Sequence, residues 1–379
     1  RAGHVYSRIT NPTNAVLEER ISALEGGIGA ITTASGQAAL VLAITTILEK
    51  GSHLIASKSL YGGSHNLLEY TLPRFGIDTT FVDLRKTNDI KKNLKKNTKL
   101  IFGETLGNPG LDVLNIPKVS KIAHDNNIPL LVDSTFTTPY LMQPLSLGAD
   151  LIFHSATKFL SGHGVVIGGL LVDGGKFDWG SSAKFKTLTE PYEGFHDMNF
   201  VDEYGPAAYI NRARKEGARD FGACMSPHTA FLVLQGIETL SLRMERHIQN
   251  TRSIVDFLDS HQSVKSVCYP ELDNHPDHKL AKDILPKGCG AVFTFQLEGN
   301  KETGKKFIEQ LNLFSHLANV GDAKSLVIHP ASTTHHRMSN DALKKAGITE
   351  STIRLSVGIE DCDDLIEDLD EALTYSTRK

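Results

Sequence analysis

The 379-residue chain is 40% hydrophobic and 22% charged, with a formal net charge of −4, ordinary values for a globular protein long enough to form two domains. No basic stripe suggests a nucleic-acid partner, and the one lysine cluster, Lys91 to Lys99, reads as a solvated helix face. Four widely spaced cysteines (Cys224, Cys268, Cys289, Cys362), no N-x-S/T sequon and no membrane-length apolar run point to a reduced cytoplasmic protein, although the start at Arg1 leads us to expect a preceding piece.

Val16–Leu24 carries Leu17, Ile21 and Leu24 on one helical face, and Ala38–Leu48 is almost continuously apolar, as a buried helix would be. Short apolar runs alternate with such segments from Gly29 to about Gly168. The candidate strands are Ala30–Ala34, His53–Ser57, Thr79–Asp83, Lys99–Gly103, Pro129–Asp133 and Asp150–His154. This rhythm predicts a mostly parallel sheet covered on both faces, with ligands at the carboxyl ends of the strands. It breaks between Lys176 and Met225, where Gly, Pro, Tyr and charged residues dominate. The aromatics there require burial, so we read a structured insertion or an active-site cover, not a linker. From Ser226–Pro227 one helical pattern runs to about Ser260. Strands near Val264–Tyr269, Gly290–Leu297, Leu326–His329 and Thr352–Val357, with a last helix from Asp361, make the remainder α+β.

Ser155-Ala156-Thr157-Lys158 follows a strand and precedes the glycine-rich Ser161–Gly164. A desolvated lysine there can form a Schiff base, and the hydroxyls can bind phosphate; alone, it could equally be a surface lysine in a turn. Asp133 closes an apolar strand, where a carboxylate can hold a protonated ring nitrogen, cap a helix or bind a metal. At Ser35-Gly36-Gln37 a strand meets a helix, so backbone N–H groups could cradle a phosphate, or Ser35 could simply be an N-cap. Tyr61, beside Gly62 and Gly63, could lie flat on a planar ligand or fill a turn. Gly26–Gly29 follows a helix and lacks a third glycine, so it reads as a C-cap and not a dinucleotide loop. His275/His278 and His335/His336 lack a third ligand at metal spacing, and no metal is expected.

No single motif decides the function. Taken together, Tyr6–Pro12, Ser35–Gln37, Tyr61–Gly63, Glu104–Pro109, Asp133–Thr135, Ser155–Lys158 and Ile353–Gly358 resemble the pyridoxal-phosphate (PLP) enzymes of cysteine and methionine metabolism, over essentially the whole chain. The resemblance implies an aspartate-aminotransferase-like fold (PLP fold type I), with a large, mostly parallel α/β domain and a smaller C-terminal α+β domain. We place an N-terminal arm at 1–12, a PLP-binding domain at 13–235 including the insertion 176–225, and a C-terminal domain at 236–379.

By the same resemblance, Lys158 would carry PLP as an imine and later move protons, Asp133 would pair with the pyridine nitrogen, and Tyr61 would stack on the ring. Ser35, Gly36, Gln37, Ser155 and Thr157 would hold the phosphate, with Thr135 and Asn108 completing the cofactor site. Tyr6 and Arg8 would reach the phosphate of a neighbouring subunit in a homotetramer of two tight dimers. Arg354 would grip the substrate α-carboxylate, supported by Asn108 and the backbone around Asn319. The insertion Pro191–Pro227 and the segment Asn319–His335 are similar to those of O-acetylhomoserine sulfhydrylases, and Gly63 departs from the cysteine of methionine γ-lyase. The expected reaction is γ-replacement of acetate by sulfide on O-acetyl-L-homoserine, a step of methionine biosynthesis. The alternatives are a cystathionine or methionine γ-lyase with the same cofactor residues, and a PLP-binding protein without turnover.

Overall fold

The computed structural model describes residues 3–107, 110–330 and 349–376. The chain forms two compact units, one from Arg1–Thr105, Leu114–Thr157 and Val165–Gln235, the other from Leu106–Val113, Lys158–Gly164 and Gly236–Lys379.

The first unit is built on a seven-stranded sheet in the order β1-β7-β6-β5-β4-β2-β3. Its strands are β1 (Gly29–Thr33), β2 (His53–Ser57), β3 (Asp78–Val82), β4 (Thr98–Glu104), β5 (Leu130–Asp133), β6 (Leu151–Ser155) and β7 (Gly169–Asp173). Strands β2 to β6 run parallel, and β7 is antiparallel to both of its neighbours. Strands β2, β4 and β5 are buried almost throughout, which is why they read as apolar runs without alternation.

Helices α1 (Pro12–Glu25) and α2 (Gly36–Ile47) start where the sequence supplies caps: Asn11 accepts the N–H of Thr13, and Ser35 that of Ala38. Gly26 ends α1 in the left-handed conformation, at φ 74°. Ala39, Leu40, Ala43, Ile44 and Ile47 of α2 share one buried cluster with Leu54, Phe102, Leu131, Phe153 and Leu171 of the sheet. The insertion joins this cluster through Trp179, Phe185, Phe200 and Tyr209. Trp179 stacks on Tyr209, with centroids 5.1 Å apart. The guanidinium of Arg212 lies 3.9 Å from the centre of the Tyr192 ring and 5.0 Å from that of Phe200. The 176–225 stretch is thus a packed layer of short helical turns held by four buried aromatics, while Phe221 near its end is 66% exposed.

The structure differs from the sequence reading in three places. Strand β7 was not expected, because its apolar run (Leu170–Val172) is only three residues long between glycines and Asp173; pairing with β1 and β6 makes it a strand. The lysine cluster is not one helix face. The helix Thr87–Asn93 carries Lys91 and Lys92 only, whereas Lys99 lies in β4, is 9% exposed, and pairs with Glu49 at 3.1 Å. The expected single helix after Ser226–Pro227 is two, Pro227–Glu238 and Leu240–Ser260, broken at Thr239 (φ −108°, ψ 11°).

The second unit carries a five-stranded sheet in the order β10-β11-β12-β9-β8. These are β8 (Val264–Cys268), β9 (Val292–Leu297), β10 (Ser315–His316), β11 (Leu326–Ile328) and β12 (Thr352–Ser356), antiparallel except for the β10–β11 pair. Strand β10, two residues long, has no sequence signal.

Asp173, at the end of β7, is 1% exposed, and one of its carboxyl oxygens has no hydrogen-bond partner among the described residues. Burial pushes it up to about 7, with nearby Asp150 adding to the rise and the N–H groups of Gly175 and Ile210 opposing it. A folded-state pKa above the unfolded one gives stability that is full below the ordinary carboxylate range and is lost as pH rises through about 7. The melting temperature of Asp173→Asn should therefore fall less between pH 5 and pH 8 than that of the parent. Equal falls in thermal scans at the two pH values would refute the assignment.

Candidate active site

Parallel pairing sets the geometry of the first unit. Glu104 is in register with Asp133, and Asp133 with Phe153, so Ser155, two residues further on, shares their face. Phe102, Leu131 and Phe153 belong to the cluster that α2 covers. Three polar groups therefore project from adjacent strand ends on the side of α2: Glu104, Asp133 and Ser155. The N-terminus of α2 comes so close to β6 that a Cβ on Gly36 would lie 2.8 Å from Ser155 Cβ and 3.0 Å from its Cα. Only glycine fits there. The first N–H groups of a helix have no intrahelical partner, so this end of α2 is suited to an anion.

Asp133 accepts hydrogen bonds from the N–H and hydroxyl of Thr135, and Thr135 Oγ1 in turn accepts the Ser155 N–H at 2.9 Å. Thr135 thus ties the end of β5 to that of β6. Burial pushes the Asp133 carboxyl up, while the Thr135 donors and His154 pull it down. Glu104 is pushed well above the carboxylate range by burial and by Asp133, against the single pull of the Tyr61 N–H. Both carboxyls are held above their ordinary values, Glu104 further than Asp133.

Tyr61 caps the short helix α3 (Gly62–Asn66), and its side chain is 54% exposed. Ser35 is the N-cap of α2, its hydroxyl oxygen accepting the Ala38 N–H at 3.1 Å. The Gln37 side chain accepts from Ser64, and the Thr157 hydroxyl exchanges hydrogen bonds with the backbone of Gly168. Tyr6 is exposed, and Arg8 lies over its ring while donating to the carbonyl of Arg219 in the insertion. Among the excluded metal motifs, His278 pairs with Asp273, and His275 accepts the Asp277 N–H; His335 and His336 lie outside the described residues.

In the second unit Lys158 donates its amine to Asn319 Oδ1, and Arg354, on β12, donates to the Asn319 carbonyl at 3.4 Å. Burial and then the Arg354 charge lower Lys158 to about 8. Gly321 (φ +76°) lets the 319–321 turn pack on the lysine backbone, where a Cβ would lie 2.7 Å from the Phe159 nitrogen. The buried Arg243 donates to the carbonyls of Phe159 at 2.8 Å, Leu160 at 3.3 Å and Gly236 at 2.6 Å, clamping the turn after Lys158. Asn108 lies outside the described residues.

Sequence reasoning had not singled out Glu104, Arg243 or Gly321. A glutamate ending an apolar strand was the one available signal, for Glu104; the other two depend on contacts between distant segments.

The chain belongs to the Cys/Met metabolism PLP-dependent enzyme family, whose model matches residues 1–374. It is 47% identical over 98% of its length, and 86% of the relative's, to an O-acetyl-L-homoserine sulfhydrylase of Leptospira meyeri. To a homocysteine synthase of Schizosaccharomyces pombe it is 46% identical, over 98% and 87% of the two chains. A crystal structure of a putative O-acetylhomoserine (thiol)-lyase from Campylobacter jejuni superposes with a TM-score of 0.95 at 38% identity, over 99% of this chain and 89% of that one, and holds a pyridoxyl-lysine monophosphate. PLP is the cofactor, and the fold is that of the PLP-dependent Cys/Met enzymes.

In the cofactor-free protein, competitive labelling with an amine reagent should show Lys158 titrating near pH 8, below the other lysines. Arg354→Met removes a like charge and should move that midpoint up. A midpoint among the bulk lysines, or one indifferent to Arg354→Met, would rule out the stated cause.

Proposed function

We propose that this chain replaces the acetyl group of O-acetyl-L-homoserine with sulfide, giving L-homocysteine and acetate. The observation that carries this is full-length similarity, at 43–47% identity, to relatives named for that chemistry. The 13–235 stretch would hold the cofactor and the 236–379 stretch the substrate carboxylate. PLP supplies an electron sink for the charge that develops at the substrate Cα.

The chain's own residues do the rest. Lys158 holds the cofactor as an imine until the substrate amine displaces it. The freed amine would take the Cα proton and hand it to the cofactor and, neutral again, would take one from Cβ, so that acetate can leave from Cγ and hydrosulfide bond there; reversal of these transfers would release homocysteine. An amine at about 8 is a fitting proton carrier near neutral pH. Asp133, ionised and oriented by Thr135, keeps the pyridine nitrogen protonated. The α2 N-terminus at Gly36 and Gln37, with Ser35, Ser155 and Thr157, binds the phosphate, and the family resemblance gives Asn108 a part in cofactor binding. Tyr61 stacks on the ring and helps deprotonate the incoming amine. Arg354, with Asn319 and Asn108, binds the α-carboxylate bidentately.

We further infer a homotetramer of two tight dimers in the cytoplasm, with Tyr6 and Arg8 serving the neighbouring subunit's phosphate; the exposure of Tyr6 supports this. No helix among the described residues is long and apolar enough to cross a membrane.

Borohydride should bleach the yellow protein and fix the cofactor on Lys158, and Lys158→Ala should lose more than ~10⁴-fold in turnover, the upper range for a proton-transfer group alone. With O-acetylhomoserine and sulfide, homocysteine should far exceed 2-oxobutyrate, and cystathionine alone should be cleaved poorly. Rapid 2-oxobutyrate formation from cystathionine, indifferent to sulfide, would instead make the chain a γ-lyase. Mixed Arg8→Ala and Lys158→Ala subunits should recover activity in hybrid sites. If exchange yields none above the parents, the sites are not shared.

A further inference from the structure

Glu104 stands out as a buried acid without a counter-charge. It is 8% exposed, it is in register with a second carboxyl, that of the half-buried Asp133, and no cation among the described residues pairs with it. Burying a carboxyl beside another is unfavourable unless something is gained. What Glu104 does make is one short hydrogen bond, accepting the Tyr61 N–H at Oε1 over 2.6 Å.

That bond lands on the turn that leads into α3. Tyr61 precedes the five-residue helix α3, makes no side-chain cap, and carries a ring that is half exposed. The ring lies over Gly63: a Cβ there would sit 2.5 Å from Tyr61 Cε1 and 3.2 Å from Gln37 Nε2. The ring's direction is therefore set from two sides, by an absent side chain at Gly63 and by a buried acceptor on a rigid strand end at Glu104.

We propose that Glu104 is a positioning residue, fixing the Tyr61–Gly63 turn through the Tyr61 N–H and so aiming the Tyr61 ring. This rests on the proposed stacking of Tyr61 on the cofactor ring. Glu104 serves as a neutral acceptor; its raised pKa agrees with that, since ionisation would set two anions side by side. A glutamine keeps the acceptor without the acid, whereas a leucine removes both.

The test uses holoenzyme of Glu104→Gln, Glu104→Leu, Gly63→Ala and Tyr61→Ala. It reads visible circular dichroism of the bound cofactor, which reports ring environment independently of turnover, together with kcat, KM and the pH profile. Glu104→Leu should lose about 100-fold in kcat, the scale of a 1 Å misplacement, with an altered cofactor dichroism. Glu104→Gln should restore both to within about threefold with an unshifted pH profile. Gly63→Ala, which leaves Glu104 intact, should reproduce the altered dichroism and so serves if Glu104→Leu does not fold. Glutamine as damaging as leucine would overturn the neutral-acceptor role. A silent Glu104→Leu beside a damaged Tyr61→Ala would overturn the positioning role alone, and a silent Tyr61→Ala would overturn the stacking role with it.

Discussion

The in-register ends of β4, β5 and β6 are the constraint on which the first unit's site depends. In a parallel sheet, residues level with one another on neighbouring strands share a face. Once β4 and β5 pair, Glu104 and Asp133 must lie side by side, and pairing of β6 adds Ser155 beyond them. Two adjacent carboxyls cannot both ionise readily. Their environments resolve the conflict. Thr135 gives Asp133 two donors, whereas Glu104 receives only the Tyr61 N–H. Asp133 is thereby raised less than Glu104, and the same threonine ties β5 to β6 through the Ser155 N–H.

The second unit solves a different problem, keeping a lysine amine reactive. A lysine at its ordinary pKa is almost wholly protonated at neutral pH and is a poor nucleophile. Burial and Arg354 lower Lys158, while Asn319 supplies an acceptor that holds the amine in place. The turn after it is held by Arg243, a buried guanidinium whose donors are spent on backbone carbonyls. Such an arrangement suits a planar fork with several fixed donors better than a lysine's single ammonium.

The insertion has a clear physical role in the first unit. Trp179, Phe185, Phe200 and Tyr209 extend the core that α2 and the sheet begin, and Arg212 and Arg219 lie on its aromatic faces. Arg8 of the N-terminal arm docks on its last turn through the Arg219 carbonyl. A segment whose composition looked like loop is thus held by aromatic burial and cation–π contacts instead of by strand ladders.

The resemblance of its motifs to a known family pointed to Lys158, Asp133, Gly36 and Arg354, while the sequence by itself determined the alternating α/β pattern and the two principal helices of the first unit. These are legible because they follow local rules. Buried parallel strands are continuously apolar, helices begin at capping residues, and a glycine is placed where backbone must approach backbone. Only the tertiary structure decided that Leu170–Val172 is a strand, that Lys99 is buried in β4, and that one helical pattern breaks at Thr239. It likewise decided that Glu104 holds the Tyr61 turn and that Arg243 holds the turn after Lys158. Those outcomes join residues far apart in the chain, and the energies involved, desolvation of a charge or the sharing of a carbonyl, depend on neighbours that a linear pattern does not contain.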